Sequence, residues 1–311
     1  MQKLLQNYTL LLASFLTVVV FASYGKKKER KADENAVAVA PMAKIPQVIK
    51  AIDLDKTFSL AGERVPIENP DVYERMDREL SVNTYWHSTT LLNIKNTYKY
   101  FPIIEKILAE EGVPDDFKYL AIAESNLRNA TSPAGAKGLW QFMSETGRYY
   151  KLEVGKEVDE RYHLEKSTRA ACQYIKDYHK RFGSWTLAAA AYNMGGTRLK
   201  REMDVQRGDT YYDLNLNQET DRYVFRIIAI KEVIGNPEKF GFYLDHEDGY
   251  EPMTNFDLVE VDGPIPNLGD FALKHGISYR TLKVYNPWLR SSRLTNAARK
   301  TYEIKIPNKK F

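Results

Sequence analysis

The sequence reads as a mainly α protein with a larger helical body and a small C-terminal βααβ unit, and three observations carry that reading. Apolar residues recur at helical spacing through much of residues 56–245. After about residue 255 this pattern gives way to short alternating runs typical of strands. Glycines, prolines and capping residues punctuate the runs where helices should start and stop. At 311 residues the chain has room for one sizeable core and one smaller module.

The first segment is set apart by composition. Leu10 to Gly25 is an uncharged, mostly apolar run of about sixteen residues, so residues 1–25 read as a signal peptide or membrane anchor. This implies export to the periplasm or cell envelope, with attachment to the inner membrane through residues 10–25. Lys26, Lys27, Lys28, Arg30 and Lys31 follow the run and only Lys3 precedes it, a charge bias opposite to the usual one for export. Residues 26–55 are charged and rich in alanine and proline, which reads as a tether.

Residues 56–245 carry the helices. Phe101, Ile104 and Leu108 form a stripe closed by Gly112, and Pro114-Asp115-Asp116 opens a second helix with carboxylates at its positive end. That helix runs through Tyr119, Leu120 and Ala123 to Glu124. A third, from near Ser167, puts Ala171, Tyr174, Ile175, Tyr178 and Phe182 on one side and ends at Gly183. Ser184 then caps a helix holding Trp185, Leu187 and the small residues Ala188 to Ala191, which let a neighbouring helix approach. The last long helix, Thr220 to Ile234, stops at Gly235-Asn236-Pro237.

Residues 255–311 form the module. Leu258, Val259 and Val261 predict one strand, and Tyr302, Ile304 and Ile306 a second. Between them, one helix holds Leu268, Phe271 and Ala272, and another is capped by Ser278 and ended by Asn286-Pro287.

Charge and residue types then prune the functions. The net charge of +4 comes from the first 31 residues, which hold six Lys or Arg and one Glu; the remainder has 39 basic and 40 acidic residues. A near-neutral body gives no basic footprint for nucleic acid. The single cysteine, Cys172, allows no intramolecular disulfide and reads as a buried, inert thiol. The five histidines are scattered without metal-ligand spacing, so no metal site is expected. No phosphate-cradling glycine loop or nucleophile elbow is present, which leaves carboxylate chemistry.

Glu124 is placed where such chemistry could sit, although on periodicity alone a Glu at a helix end reads as an ordinary solvated residue, and it is the wider sequence around it that singles it out. It closes the apolar stretch Tyr119-Leu120-Ala121-Ile122-Ala123 and is followed by Ser125-Asn126. Apolar surroundings disfavour the ionised carboxylate and raise its pKa, leaving a transferable proton near neutral pH, as a general acid requires.

Four blocks in order carry a resemblance to a known family. They are Glu124-Ser125; Ser132-Pro133-Ala134-Gly135-Ala136-Lys137-Gly138-Leu139-Trp140-Gln141-Phe142-Met143; Ala191-Tyr192-Asn193-Met194-Gly195; and Glu219-Thr220-Asp221-Arg222-Tyr223-Val224. Together they resemble the lytic transglycosylases of the soluble lytic transglycosylase and goose-type lysozyme superfamily. The resemblance implies a lysozyme-like α-helical catalytic domain over residues 56–245. It implies Glu124 as the one catalytic acid/base, with Ser125, Ser132, Gln141, Met143, Tyr192, Asn193, Glu219 and Tyr223 around the substrate. Ser132, Gln141, Met143, Tyr192 and Glu219 would bind or orient the sugars, and Asn193 would hold loop geometry. Gly135 and Gly138 are expected to let backbone approach a flat substrate closely, with Gln141 and Met143 lining the groove. Ser144, where many relatives have proline, is expected to change only how the next helix starts.

The implied substrate is the glycan strand of peptidoglycan, cleaved without metal or organic cofactor. A hydrolytic goose-type lysozyme and a non-catalytic peptidoglycan-binding protein are the alternatives. The C-terminal unit, with Gly276-Ile277-Ser278, Tyr285-Asn286-Pro287 and Ile304-Lys305-Ile306-Pro307, resembles a LysM glycan-binding module, although Asp262-Gly263-Pro264 stands in place of the usual Gly-Asp-Thr opening. Such a module is expected to add affinity and leave the chemistry alone, with a packing role against the catalytic domain as the alternative.

Overall fold

The computed structural model describes residues 49–308. The expected signal or anchor segment at residues 1–25 and most of the tether at 26–55 lie outside them. No helix among the described residues is long and apolar enough to cross a membrane.

The body starts with a two-residue hairpin, β1 (Ser59–Leu60) paired antiparallel with β2 (Glu63–Arg64). Helix α1 (Pro70–Tyr85) follows, with Asn69 accepting the Asp71 N–H and a proline at its first position, two signals that fix a helix start. It buries Val72, Met76 and Leu80 on one face.

α2 (His87–Glu111) carries the expected stripe of Phe101, Ile104 and Leu108 and ends at Gly112 in the left-handed conformation. The Pro114-Asp115-Asp116 start is a 3₁₀ turn, Asp115–Phe117, which leads into the short helix α3 (Lys118–Ser125). α4 (Ser144–Tyr149) begins at Ser144 directly after Met143, without a side-chain cap.

α5 (Leu164–Phe182) starts three residues earlier than its periodicity predicts and ends at Gly183 as expected. α6 (Trp185–Met194) is buried from Thr186 to Tyr192 and forms the centre of the body. Its start is doubly capped: Ser184 Oγ accepts the Leu187 N–H, and the Glu63 carboxylate accepts the N–H groups of Trp185 and Thr186. The alanines let α5 and α8 (Gln218–Gly235) pack closely on either side. α7 (Gly196–Gln206) follows directly on α6.

α8 is the second organising helix. Asn217 caps it through the Glu219 and Thr220 N–H groups, and Tyr223, Val224, Ile227, Ile228 and Ile230 are buried against α1, α3 and α6. Each such apolar side chain contributes roughly 1.5–3 kcal/mol of burial.

The C-terminal unit is β3 (Phe256–Val261), α9 (Leu268–Lys274), α10 (Tyr279–Tyr285) and β4 (Tyr302–Pro307). The strands pair antiparallel with Val259 opposite Ile304 and Val261 opposite Tyr302. The expected mainly α class with a βααβ end is thus present. The unit's core of Ile265, Leu268, Leu282, Trp288 and Ile304 is completed by Val158 and Tyr162 of the body.

Candidate active site

Glu124 sits in the last turn of α3, where the helix must stop: Asn126 and Leu127 both adopt left-handed backbone, and Asn93 Nδ2 donates to Asn126 Oδ1 at 2.9 Å. The side chain is half-buried, and the Tyr223 hydroxyl donates to its Oε1 at 2.5 Å. Burial pushes the carboxyl up to about 7; the Tyr223 hydrogen bond opposes that rise, Glu219 adds to it and Arg226 opposes it. At neutral pH a large fraction of Glu124 therefore carries a proton. Oε1 accepts from Tyr223, which leaves Oε2 to hold the transferable proton.

Tyr223 is itself fully buried, and burial, followed by the charge of Glu124, drives its phenol well above the usual range. It therefore stays a neutral donor through the working pH range. Behind it on α8, Arg226 pairs with Glu219 at 2.9 Å and approaches the buried carboxylate of Glu79 at 3.7 Å. Arg222 donates to Glu79 at 2.6 Å. Glu219, Tyr223 and Arg226 lie at i, i+4 and i+7, so one helix face carries the tyrosine and the ion pair that bear on Glu124.

The glycine block forms the other wall. It is a loop held by short bonds: the Ser132 N–H donates to the Ala136 carbonyl, Ser132 Oγ accepts the Ala136 N–H, and Lys137 and Phe142 exchange backbone bonds in both directions. Gly138 has φ +83°, and a Cβ there would lie 1.9 Å from the Arg161 carbonyl oxygen. The close approach expected at Gly138 is therefore to the chain's own backbone rather than to a substrate. Gly135, at φ +86° with open space around its Cβ position, is free of that constraint.

Gln141 has φ +50°, and its amide nitrogen donates to the carbonyls of Gly138 at 2.7 Å and Ala130 at 3.3 Å. It builds the loop from within, so its polar contact is internal where the sequence suggested a groove-lining one. Met143, by contrast, is 45% exposed at the loop's end. Ser132 is half-buried in the Ser132–Ala136 turn.

The remaining candidates connect the walls. Ser125 is buried, with its hydroxyl 2.9 Å from the Leu139 carbonyl and 3.1 Å from that of Ala121, tying α3 to the glycine block. The Tyr192 hydroxyl donates to the Trp140 carbonyl at 2.7 Å, and its ring meets Phe142 and Tyr174. Burial and then the Glu124 charge raise its phenol as well. Asn193 Oδ1 accepts from Thr220 Oγ1 at 2.8 Å, joining the end of α6 to the start of α8. Glu219 is largely exposed at the first turn of α8.

Sequence reasoning missed Asp159 and Arg161. Both are buried, and the guanidinium meets the carboxylate through two bonds, Nε to Oδ1 at 2.9 Å and Nη2 to Oδ2 at 2.7 Å. Nη1 donates onward to the carbonyls of Phe142 at 3.1 Å and Gly135 at 3.3 Å. This pair latches the glycine block from behind. Its signal, an acid and a base two residues apart in a charged stretch, has no periodicity that marks it as buried. Cys172 is buried, and burial pushes its thiol up to about 12, which makes it inert. No group of three or more His, Cys, Asp or Glu among the described residues is set to hold a metal ion.

Comparison with known proteins gives these features a family. A model of the transglycosylase SLT domain matches residues 101–215, which hold the first three sequence blocks but not the Glu219-to-Val224 block. A model of the soluble lytic transglycosylase C-terminal LysM-like domain matches residues 257–310. The chain is 30% identical over 233 residues to membrane-bound lytic murein transglycosylase D of Escherichia coli K12, covering 73% of this chain and 50% of that one. It is 33% identical over 106 residues to a putative tributyltin chloride resistance protein of an Alteromonas species, covering 33% of this chain and 50% of that protein. The chain thus spans about half the length of the curated relatives it matches. Among solved structures, an inactive mutant of the lytic transglycosylase Slt from Pseudomonas aeruginosa matches with TM-score 0.40 at 19% identity, over 59% of this chain and 31% of that one. The 70 kDa soluble lytic transglycosylase of Escherichia coli matches with TM-score 0.40 at 16% identity, over 58% and 32%. Through residues 101–215 and 257–310, the chain belongs to the transglycosylase SLT-domain family and carries that family's LysM-like C-terminal domain.

Proposed function

We propose that the chain is a peptidoglycan lytic transglycosylase that cleaves the β-1,4 bond between N-acetylmuramic acid and N-acetylglucosamine without water. The observation that carries this reading is Glu124, one half-buried carboxyl raised to about 7 and steadied by the Tyr223 hydroxyl. The carboxylate that bears on it electrostatically, Glu219, is largely exposed and its charge is paired with Arg226, which suits it to holding sugar hydroxyls and not to acting as a second base. A two-carboxylate hydrolase needs a second free carboxylate at the bond, whereas a substrate-assisted enzyme does not.

In the first step the Glu124 proton passes to the leaving glycosidic oxygen as the bond to the muramic anomeric carbon breaks, and the substrate's own acetamido oxygen bonds to that carbon. In the second, the ionised Glu124 takes the proton of the muramic C6 hydroxyl, whose oxygen displaces the acetamido oxygen and closes a 1,6-anhydro ring. Glu124 ends protonated, and no water is consumed. Met143, Ser132 and Glu219, which reach the surface or its edge, are assigned to the sugars. Ser125, Gln141, Asn193, Tyr192 and Tyr223 are assigned to holding the loop and the acid. Because the first step needs protonated Glu124, turnover should fall as pH rises through about 7.

Mass spectrometry of digested glycan strands tests the reaction type. The products should end in 1,6-anhydromuramic acid, and Glu124→Gln should fold normally yet lose about 10⁴-fold or more in rate, since the same group serves as acid and base. Reducing-end products from wild type would replace the transglycosylase by a goose-type lysozyme. Retained activity in the folded variant would remove Glu124 from the site.

The name of the similar Escherichia coli protein supports a cell-envelope location, and the apolar segment at residues 10–25 supports export or inner-membrane anchoring. A reporter fused after residue 55 should be active only in its periplasm-dependent form; a cytoplasmic signal would overturn this part.

A further inference from the structure

The stretch from Glu153 to His163 has two neighbours. On one side it holds the glycine block: the Arg161 carbonyl packs against Gly138, the Arg161 guanidinium binds the Phe142 and Gly135 carbonyls, and Tyr162 meets Thr131 hydroxyl to hydroxyl at 2.8 Å. On the other side it is covered by the C-terminal unit. Val158 bridges to Leu289, the Asp159 N–H donates to the Trp288 carbonyl at 2.9 Å, and the Arg290 N–H donates to the Glu157 carbonyl at 2.7 Å. The Arg290 guanidinium lies over the Tyr162 ring, 4.1 Å from its centre. Ion pairs Lys300–Glu153, at 2.7 Å, and Lys305–Glu165 flank the contact.

The stretch has little regular structure of its own: a 3₁₀ turn at Glu160–Tyr162, and a small hairpin in which Val154 bridges to Asp159 and the Gly155 and Glu160 N–H groups donate to the Val158 and Glu153 carbonyls. That hairpin sits between two neighbours, the glycine block on one side and the C-terminal unit on the other, and the bonds from Asp159 to Trp288 and from Arg290 to Glu157 fix it against the second. Val158 and Tyr162 also sit inside the unit's own core, so the unit is not closed without them. A freely tethered glycan-binding module would close its core with its own residues.

We propose that the LysM-like unit is a positioning element for the catalytic loop, acting through Val158, Tyr162 and the Asp159–Arg161 pair, so that turnover requires it even on glycans too short to touch it. This rests on the reading of Glu124 and the glycine block as the active site. It replaces the expectation that the unit adds affinity and leaves the chemistry alone.

The test uses the full chain with Val158→Asp, which places a charge in the shared core, and Val158→Ile, which keeps the contact apolar. Arg290→Ala is a milder break at an exposed side chain and carries the test alone should Val158→Asp not fold. Hydrogen exchange reads the loop directly through the Gly138 and Phe142 amides, which donate to the Ala130 and Lys137 carbonyls. In the two breaking variants these amides should exchange about tenfold faster or more while α8 stays protected. On a four-sugar soluble glycan kcat should fall about tenfold or more with KM nearly unchanged, because misplacement by a fraction of an ångström costs rate before binding. Val158→Ile should retain both. A freed Asp159 amide with unchanged exchange at Gly138 and Phe142, or unchanged kcat, would overturn the proposal. Exchange does not depend on the reaction, so a wild-type protein without glycan turnover would defeat the functional reading and still leave the coupling decided.

Discussion

Two walls meet at Glu124, and they are built in opposite ways. The α8 wall is a long helix whose buried face repeats every three to four residues, so Tyr223 is placed by local backbone regularity and by packing against α1, α3 and α6. The glycine-block wall has almost no regular structure. Gly138 and Gln141 sit at positive φ, and the loop is held by a buried Arg161–Asp159 pair that is in turn braced by the C-terminal unit. The first wall tolerates change through many small contacts. The second depends on a few backbone positions that must be in place together.

That difference makes the glycine block the point where a small substitution should have the larger effect. Gly138→Ala adds one methyl, yet it would meet the Arg161 carbonyl and hold a non-glycine residue at φ +83°. The loop must shift by more than an ångström, so activity should drop by about 100-fold or more with the helical circular-dichroism signal intact. Full activity in Gly138→Ala would mean that the loop and Arg161 move together without consequence, and the contrast between the walls would fail.

On the α8 wall, Tyr223→Phe removes one hydroxyl and leaves the helix packing unchanged. The lost hydrogen bond to the ionised form of Glu124 is worth about 1.5–3 kcal/mol at a charged group, so a loss of roughly ten- to a hundredfold is expected. The sign of the pH effect follows from the same bond. Tyr223 holds the carboxyl down against the rise caused by burial, so its removal should move the alkaline limb of the pH–rate profile upward from about 7. A limb that stays put or moves down would show that Tyr223 does not act on Glu124.

The same contrast explains what the sequence made legible. The stripe of Phe101, Ile104 and Leu108, the Ser184 cap and the helix reaching Ile234 followed from periodicity and capping, and the structure has them with boundaries shifted by one to three residues. The strands of the C-terminal unit were visible in the alternation of Tyr302, Ile304 and Ile306. Glu124 was singled out by the four sequence blocks around it, since a carboxyl at the end of an apolar run does not by itself differ from a solvated helix-end glutamate. α1 and α7 went unmarked, as did the latch at Asp159 and Arg161, because a buried ion pair looks in sequence like any solvated charge pair. Gly138 was noticed for the right reason and given the wrong neighbour: positive φ is a local property, whereas the approach of Arg161 is tertiary. The bracing by Val158 was hidden for the same reason, since one valine outside a periodic run carries no pattern.

The most direct test of the account is the protonation of Glu124 itself. Carbon NMR of protein labelled at glutamate side-chain carboxyls, with Glu124→Gln to assign the resonance, follows that one group through a pH titration. The midpoint should lie near 7, the value that burial of the carboxyl imposes against the opposing Tyr223 hydrogen bond. A midpoint near the ordinary 4.5 of a glutamate would mean that the carboxyl is ionised at neutral pH, and it would contradict the role of Glu124 as the proton donor.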